Sequence, residues 1–450
     1  MIFLEGRIKE IIDRIIQERS HGNPAIAEMT KAKLILKGLN PDKFGTSSPD
    51  DPAIIEKLYN IAKQFNIYNL LDTNINIKSV YSVEISERDA VEAIKSQLEG
   101  FCTKLVIYFA APGYNHESLS AMMQEAFSDS LVFGCSTAGE IINGNILKNS
   151  IVAMAFNSNI ICDAKIEVVE NLRHNADIDA AFSSFESYFG ESSYIMDTRK
   201  YVGLILIDGL CMREEKVMDL IGNRTNVIFV GGSASDDLKF SKTQVFANGR
   251  TYTDSAVLVL LKMSENAEFG ILKTQSFTML DTVLVANKVN EETREVIEFN
   301  NKPAILAYAE AVGAASPEEA QNYFMTHPVG LCIGDNDVFI RSPQMVKGTS
   351  IRFYCNILEG MEVRLLESSN IIENTKKAIE NKLNELGTID GIIDFDCVER
   401  MLELKGKDLI GQYGEIFKYI PTIGFSTFGE EYIGHLNQTS TMLIFRSKNS

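Results

Sequence analysis

Two short segments of the chain share a pattern of small, hydroxyl and acidic residues that suits the binding of a small ligand. Residues 134–140 read GCSTAGE and residues 424–430 read GFSTFGE, an agreement at five of seven positions. A third segment, GGSASDD at residues 231–237, keeps the glycine, the serine two residues later and an acid six residues later. Small residues let a ligand approach the backbone, hydroxyls donate hydrogen bonds, and a carboxylate binds a cation. The alternative is a tight turn whose hydroxyls bond to local amides.

A catalytic interpretation of these segments finds little support in the sequence. The nucleophile elbow of hydrolases requires Gly-x-Ser-x-Gly, and Ala138 stands where the second glycine belongs. Cys135 could act as a thiol nucleophile, but its spacing identifies no partner, and Gly232 and Phe425 replace it in the other copies. The sequence therefore predicts no catalytic residue and no metal ligand. A thiol-dependent enzyme at Cys135 is kept as an alternative.

The densest group of polar residues lies near the C-terminus, in residues 397–400 (CVER), 424–430 and 435–439 (HLNQT). Arg400 could bind a carboxylate in a forked geometry, Glu430 could accept an ammonium group, and Asn437 could do either. Together these residues suit an amino acid or a similar zwitterion. Taken singly, Arg400 is as typical of a surface salt bridge as of a ligand site, and His435 is as typical of a turn as of a ligand site.

Length, charge and cysteine usage limit the class of protein. A chain of 450 residues predicts two or three domains. Its net charge of −18 argues against nucleic-acid binding, which requires a clustered basic surface. No apolar run is long enough to span a membrane, and charged residues interrupt the first twenty positions, so a cytoplasmic location is expected. The seven cysteines lack any C-x-x-C spacing, which favours free thiols over disulfides or a zinc site.

The first part of the chain is predicted to be helical. Isoleucines at positions 8, 11, 12, 15 and 16 form one apolar stripe, and Asp51 with Pro52 predicts the start of a helix that runs to about Lys63. The stripe could pair with a partner helix. Packing on the body of the chain, or dimerisation, is the open alternative.

From Val80 onward, short apolar strands alternate with helices, and each Gly-x-Ser segment ends a strand. A strand-like run and then a helix precede every copy, and another apolar run follows it, at residues 151–156, 256–261 and 442–445. The sequence therefore predicts an α/β fold of internally duplicated strand–helix–strand units with mixed sheets in two domains, preceded by a helical N-terminal segment. The predicted boundaries are residues 1–75, 76–300 and 301–450.

These motifs resemble the FIST family of sensory domains. The N-terminal FIST domain is suggested by residues 134–141 (GCSTAGEI), 208–209 (DG) and 231–236 (GGSASD), and the C-terminal one by residues 303–308 (PAILAY), 397–400, 421–425 (PTIGF), 429–430 and 435–439. The resemblance implies an intracellular sensor in signal transduction with a small ligand, amino acids among the candidates. It also implies a possible haem that responds to nitric oxide, which would need an axial ligand such as His435. Output would pass through a separate signalling partner.

The leading hypothesis is thus a ligand-binding sensor whose ligand shifts the relative orientation of two domains. A haem-based nitric oxide sensor, a thiol enzyme and a scaffold with a vestigial cleft are the alternatives. In α/β sheets, ligands bind where such strand ends meet. The predicted cleft is lined by Cys135, Ser136, Thr137, Glu140, Ser233, Asp236, Arg400, Phe425, Glu430, His435 and Asn437.

Overall fold

A computed structural model describes residues 6–20, 23–45, 48–49, 51–65, 75–333 and 337–448. They divide into two compact units, one that precedes Asn76 and one that begins there. Among these residues, no helix has both the length and the apolar composition that crossing a bilayer requires.

The first unit is helical, as the sequence predicts. Its helices are α1 (Arg7–Ser20), α2 (Pro24–Leu36) and α3 (Pro52–Gln64), with a 3₁₀ turn at Pro41–Lys43. The Asp51 side chain accepts the Ala53 amide at 2.9 Å and caps α3. The isoleucine stripe of α1 packs against apolar residues of α2 and α3, among them Leu34, Leu58 and Ile61. The stripe is therefore covered within its own unit and is not left for an outside helix.

The second unit is built from three copies of one arrangement. The first copy comprises β1 (Ile77–Ser82), α4 (Glu87–Gln97), β2 (Leu105–Ala110), α5 (His116–Ala126), β3 (Leu131–Ser136), β4 (Glu140–Ile142), β5 (Asn145–Leu147) and β6 (Ile151–Phe156). The second comprises β7 (Ile161–Glu170), α6 (Ile178–Phe189), β8 (Tyr201–Asp208), α7 (Glu214–Gly222), β9 (Phe229–Ala234), β10 (Val245–Ala247), β11 (Arg250–Tyr252) and β12 (Ser255–Met263). The predicted strand–helix–strand units are thus confirmed.

The third copy begins with β13 (Ala267–Gln275) and is then interrupted by an inserted sheet. The insertion contains β14 (Phe277–Asn290), β15 (Glu295–Phe299), β16 (Lys302–Pro303), α8 (Ala304–Val312), α9 (Pro317–Ala320), β17 (Val329–Ile333), β18 (Asp337–Arg341), β19 (Pro343–Lys347), β20 (Ser350–Phe353) and β21 (Glu362–Ser368), with 3₁₀ turns at Glu291–Thr293 and Gln321–Tyr323. The boundary predicted at residues 300–301 falls inside this insertion. The copy resumes with α10 (Ile371–Leu386), β22 (Gly391–Cys397), α11 (Val398–Gly406), α12 (Ile410–Phe417), β23 (Thr422–Thr427), β24 (Glu430–Tyr432), β25 (Gly434–Leu436) and β26 (Thr439–Ser447).

The three copies exchange hairpins in a ring. The four long strands of each copy form a mixed sheet, in the orders β1-β6-β2-β3, β7-β12-β8-β9 and β13-β26-β22-β23. The hairpin β4-β5 leaves the first copy and pairs with β23 of the third. In the same way, β10-β11 pairs with β3 of the first copy, and β24-β25 pairs with β9 of the second. Each sheet is therefore completed by a hairpin from another copy, and this brings the three strand ends together.

One hydrophobic core joins the three sheets. The rings of Phe109 on β2 and Phe425 on β23 lie 4.6 Å apart between centroids, and Phe395 on β22 completes the contact. Helices α4 and α5 cover the outer face of the first sheet, and α6 and α7 cover that of the second. Such dense inward packing fixes the positions of the strand ends to which the candidate site belongs.

Candidate functional site

The three Gly-x-Ser turns meet one another through hydrogen bonds. The Ser136 hydroxyl donates to the Ser235 carbonyl at 2.9 Å, and the Ser235 amide donates back to the Ser136 carbonyl at 3.0 Å. The Ser235 hydroxyl donates to the Ser426 carbonyl, and the Ser426 amide donates to the Gly139 carbonyl at 2.9 Å. The repeated motifs are therefore brought to one place, as their position at strand ends predicts.

The glycine that opens each turn has a packing reason. A Cβ atom on Gly134 would lie 1.9 Å from the Tyr108 carbonyl oxygen of the parallel neighbouring strand. A Cβ on Gly231 would lie 1.7 Å from the Ile205 carbonyl oxygen, and a Cβ on Gly424 would lie 2.3 Å from the Asp394 carbonyl oxygen. No side chain fits at such distances, so close strand approach alone explains the repeated glycine.

Two of the three trailing acids fasten a turn to its return strand. Glu140 accepts hydrogen bonds from the hydroxyls of Thr137 and Ser150, the latter at 2.6 Å. Glu430 accepts equivalent bonds from Thr427 and Thr439, the latter at 2.7 Å. Burial raises the pKa of Glu140 to about 7 and that of Glu430 to about 8, although the hydroxyls partly oppose the shift. These carboxyls are internal links between strands.

The expectation that the predicted residues line a solvent-reachable cleft is not met. All eleven are at most 2% exposed. Phe425 belongs to the aromatic core, and Ser136, Thr137, Glu140 and Glu430 are engaged in the bonds just described. Two cavities lie at this end of the sheets, and of the eleven residues only Asp236 lines either of them, in the wall of the larger one.

Cys135 does not have the environment of a nucleophile. Its side chain is fully buried, and burial, reinforced by the charge of Glu431, raises the pKa of the thiol well above its ordinary value. We expect iodoacetamide to label the exposed Cys102 and Cys162 of the native protein while Cys135 stays unmodified, as read by peptide mass spectrometry. Labelling of native Cys135 at the rate of Cys102 would restore the thiol-enzyme alternative.

Arg400 lies in a separate buried cluster. Its Nε donates to Asp396 Oδ1 at 2.6 Å, and its Nη2 donates to the Thr375 hydroxyl at 3.2 Å and the Tyr413 hydroxyl at 3.4 Å. Burial raises the pKa of both Asp394 and Asp396, and the charge of Arg400 opposes this rise by favouring the carboxylate form. Arg400 is therefore an internal counter-ion with no face toward either cavity.

A cavity of about 220 Å³ lies between the second copy, the inserted sheet and the turn of the third copy. Phe240 and Phe428 stack at its edge with ring centroids 4.9 Å apart, and Phe240 is 47% exposed. Pockets for drug-sized ligands measure about 300–1,000 Å³, so this one suits a smaller molecule. The residues that give it chemical character are Met212, Glu214, Phe240, Arg294, Arg352 and Phe428.

Charges of both signs line this cavity. Arg294 donates to Glu214 Oε2 and Glu215 Oε2, each at 2.6 Å, and to the Tyr354 carbonyl. Within the described part of the chain, the Arg352 guanidinium has one hydrogen-bond partner, the Met212 sulfur at 3.2 Å, and no carboxylate lies within ion-pair distance of it. The cavity wall thus carries Glu214, which shares Arg294 with the neighbouring Glu215, and it also carries Arg352, which has no carboxylate partner among the described residues.

The loop after the second turn separates this cavity from a larger one. Asp236 accepts the backbone amides of Phe240, Ser241 and Lys242 at 2.7–3.3 Å, which shapes the loop. The larger cavity, of about 440 Å³, has Asp236, His116 and Lys242 in its wall. Asp236 therefore lines the larger cavity directly, and it shapes the smaller one through Phe240 on the loop.

Ser233, His435 and Asn437 come together in a buried polar cluster behind the smaller cavity. The Ser233 hydroxyl donates to Glu431 Oε1 at 2.9 Å, and Nδ1 of His435 lies 3.2 Å from the same oxygen. The Cys355 thiol donates to Asn437 Oδ1 at 2.7 Å. Burial disfavours charge on His435, but the Cys355 sulfur and Glu431 outweigh it and hold the pKa of the imidazole above its ordinary value.

The surroundings of His435 do not fit a haem. The imidazole packs so closely on Gly429 that a Cβ there would lie 2.1 Å from its Cε1, and the cavity beside it is small and lined by charges. An axial ligand needs an open coordination position next to a wide apolar slot. The described residues around His435 provide no wide apolar slot.

The residues that form the cavity left little trace in the sequence. Glu214 follows the end of strand β8, a place where ligands commonly bind in α/β sheets, and this was the one usable signal. Arg294, Arg352 and Cys355 lie in the inserted sheet, where nothing in their spacing suggests a site.

These features define a repeat-built α/β protein with a small cavity between its second copy, its inserted sheet and its third turn. The model of the FIST N domain matches residues 104–302, and that of the FIST C domain matches residues 304–432. The chain therefore belongs to the FIST family, which confirms the resemblance seen in the motifs. FIST domains are generally sensory domains that bind small ligands in signal transduction.

An uncharacterized protein of Methanocaldococcus jannaschii is also similar to this chain. The two are 21% identical over 252 residues, which cover 52% of this chain and 47% of that protein. The chain thus matches about half the length of this curated relative.

Proposed function

We propose that the chain is a sensor that binds a small zwitterion, such as an amino acid, in the 220 Å³ cavity. The observation that carries this proposal is the guanidinium of Arg352, which lines the cavity and has no carboxylate partner within ion-pair distance among the described residues. An arginine in such a position offers a planar pair of donors that matches a carboxylate.

The opposite charge is available in the same cavity. Glu214 lines the cavity and shares the Arg294 cation with Glu215, which lies beside it outside the lining, so an ammonium group near Glu214 would meet a carboxylate whose counter-ion is divided. The stacked rings of Phe240 and Phe428 offer an apolar face for the remainder of the ligand. The cavity therefore combines the three kinds of contact that an amino acid requires.

The cavity also gives a route from binding to signalling. Its walls come from the second copy, the inserted sheet and the third turn. A ligand that contacts all three would favour the arrangement in which they approach most closely. Such a population shift requires that the ligand bind this arrangement more tightly than the others. A separate signalling partner that binds one arrangement in preference to the others stays a prediction.

The test is a calorimetric titration of a panel of amino acids into the wild-type chain and into Arg352→Gln. A charge-assisted hydrogen bond contributes about 1.5–3 kcal/mol, so Arg352→Gln should weaken the binding of an active amino acid at least about tenfold. Arg364→Gln is the matched control, because Arg364 lies on β21 of the same inserted sheet and does not line the cavity.

Two results would contradict the proposal. One is a panel in which no amino acid binds the wild-type chain. The other is a bound amino acid whose affinity is lowered equally by Arg352→Gln and Arg364→Gln.

A further inference from the structure

We propose that Glu215, Cys355 and His435 form a binding site for a divalent metal ion of the zinc type. Glu215 lies on α7, Cys355 follows β20, and His435 lies on β25. A carboxylate oxygen, the sulfur and a ring nitrogen of these residues all lie within 4.8 Å of one another. Three different elements of the fold therefore converge on one point with three ligand atoms.

The distances are close to those of a zinc site. An ion at the centre of a triangle with 4.8 Å sides would lie about 2.8 Å from each atom, and zinc bonds to sulfur, nitrogen and oxygen measure about 2.0–2.3 Å. Side-chain movements of about 0.5–0.8 Å would close that difference. Thiolate and imidazole ligands favour zinc and its neighbours over magnesium and calcium, which prefer oxygen.

Each of the three ligands is held by a second residue. Nδ1 of His435 is engaged by Glu431 at 3.2 Å, which leaves Nε2 for the metal and reproduces the carboxylate–histidine–metal arrangement. The Asn356 amide donates to Glu215 Oε1 at 2.7 Å. The side-chain Oδ1 of Asn437 lies 2.7 Å from the Cys355 sulfur, and its buried Nδ2 has no hydrogen-bond partner among the described residues. Rotation of this side-chain amide would let Nδ2 donate to a Cys355 thiolate.

The charge of the surrounding cluster also calls for a cation. Arg294 pairs with Glu214 and Glu215, and His435 pairs with Glu431, so three carboxylates face two basic side chains. Among the described residues, Glu431 Oε2 has no hydrogen-bond partner. Buried carboxylates are costly unless they are paired. On metal binding, the Cys355 thiol would lose its proton to solvent as the sulfur–metal bond forms, and the ion would offset the excess negative charge.

The site would connect the inserted sheet to two of the three copies, because α7 belongs to the second copy and β25 to the third. It lies next to the proposed ligand cavity, since Arg294 donates to Glu215 and also lines that cavity. The metal proposal does not depend on the ligand proposal, because every contact that supports it lies within the protein.

The experiment uses Co²⁺ as a spectroscopic probe on the chelator-treated full chain. We expect one ion per chain, with a sulfur-to-cobalt charge-transfer band in the near ultraviolet and the intense visible bands of four-coordinate cobalt. Cys355→Ser should abolish the charge-transfer band, and Cys397→Ser, which alters an equally buried thiol outside the cluster, should keep it. Zn²⁺ should displace the cobalt and bleach both sets of bands.

Further variants separate ligation from folding. Glu215→Gln changes a half-buried side chain and should weaken cobalt affinity at least about tenfold, and Glu431→Gln, which alters only the partner of His435, should weaken it about 10–100-fold. Circular dichroism shows whether each variant remains folded. The proposal is overturned if the wild-type chain binds no cobalt, or if the charge-transfer band persists in folded Cys355→Ser.

The amino-acid panel is repeated on the chelator-treated chain. A chelator-treated chain that binds an amino acid but no cobalt would refute the metal site alone. A chain that binds cobalt but no amino acid would refute the ligand cavity alone.

Discussion

Replacing Arg400 by methionine is expected to lower the free energy of unfolding by about 3–5 kcal/mol. The substitution keeps most of the apolar volume but removes the cation that faces Asp396 at 2.6 Å in a fully buried cluster. Asp394 and Asp396 would then remain in the core without a positive charge, and the Thr375 and Tyr413 hydroxyls would each lose a partner. Urea unfolding followed by circular dichroism measures the loss.

Two further variants test the cause. Arg199→Met removes an arginine that pairs with Asp197 on the surface, where such pairs contribute about 0–1 kcal/mol, so its effect should be small. Adding Asp396→Asn to Arg400→Met should recover part of the loss, because it removes the uncompensated carboxylate. An Arg400→Met chain of wild-type stability that no longer binds its amino acid would instead make Arg400 a ligand contact, as the sequence suggested.

The second large effect is a dependence of stability on pH that originates in the turns. Because burial raises the pKa of Glu140 to about 7 and of Glu430 to about 8, the folded chain holds these two protons more tightly than the unfolded chain does. Their contribution is fully present below the unfolded pKa and is lost as the pH rises through the folded values. Stability should therefore fall between about pH 5 and pH 8, by on the order of 3–5 kcal/mol for each group.

Glutamine removes the titration and keeps a hydrogen-bonding group of similar shape. The double variant Glu140→Gln, Glu430→Gln should lose less stability than the wild-type chain between pH 5.5 and pH 8.5, as measured by urea midpoints. Glu99→Gln, a change of an exposed side chain, should leave the wild-type pH dependence intact. If the urea midpoint falls equally steeply with pH in all three chains, Glu140 and Glu430 do not govern the pH dependence of stability.

The duplication of the fold was predictable because its signals are local. Strand ends with repeated glycine, serine and acid occur in three copies, and each glycine is required by a carbonyl oxygen of the neighbouring strand. The helix caps at Asp51 and Ser86 were predictable for the same reason, since each bonds within three residues. Helix and strand periodicity supplied most of the remaining elements.

The role of the motif residues was not predictable from the motif. The same Gly-x-Ser pattern would suit a ligand-binding loop or a junction between strands. Which role it has depends on whether solvent or another part of the protein lies against it. The ring of exchanged hairpins covers the turns, so Ser136 and Glu430 bond to protein groups instead of to a ligand. Strand exchange between copies is a long-range pairing, which no local pattern encodes.

By itself, the sequence determined the family, the α/β repeats and the helical first unit, because periodicity, caps and turn residues act over a few positions. Only the tertiary structure decided where the chemistry lies. Glu215, Cys355 and His435 are far apart in the chain, and Arg352 belongs to an insertion without a motif, yet folding places them around one cavity and one polar cluster. The physical reason is that burial and charge pairing depend on which surfaces meet, and that is settled by the packing of the sheets.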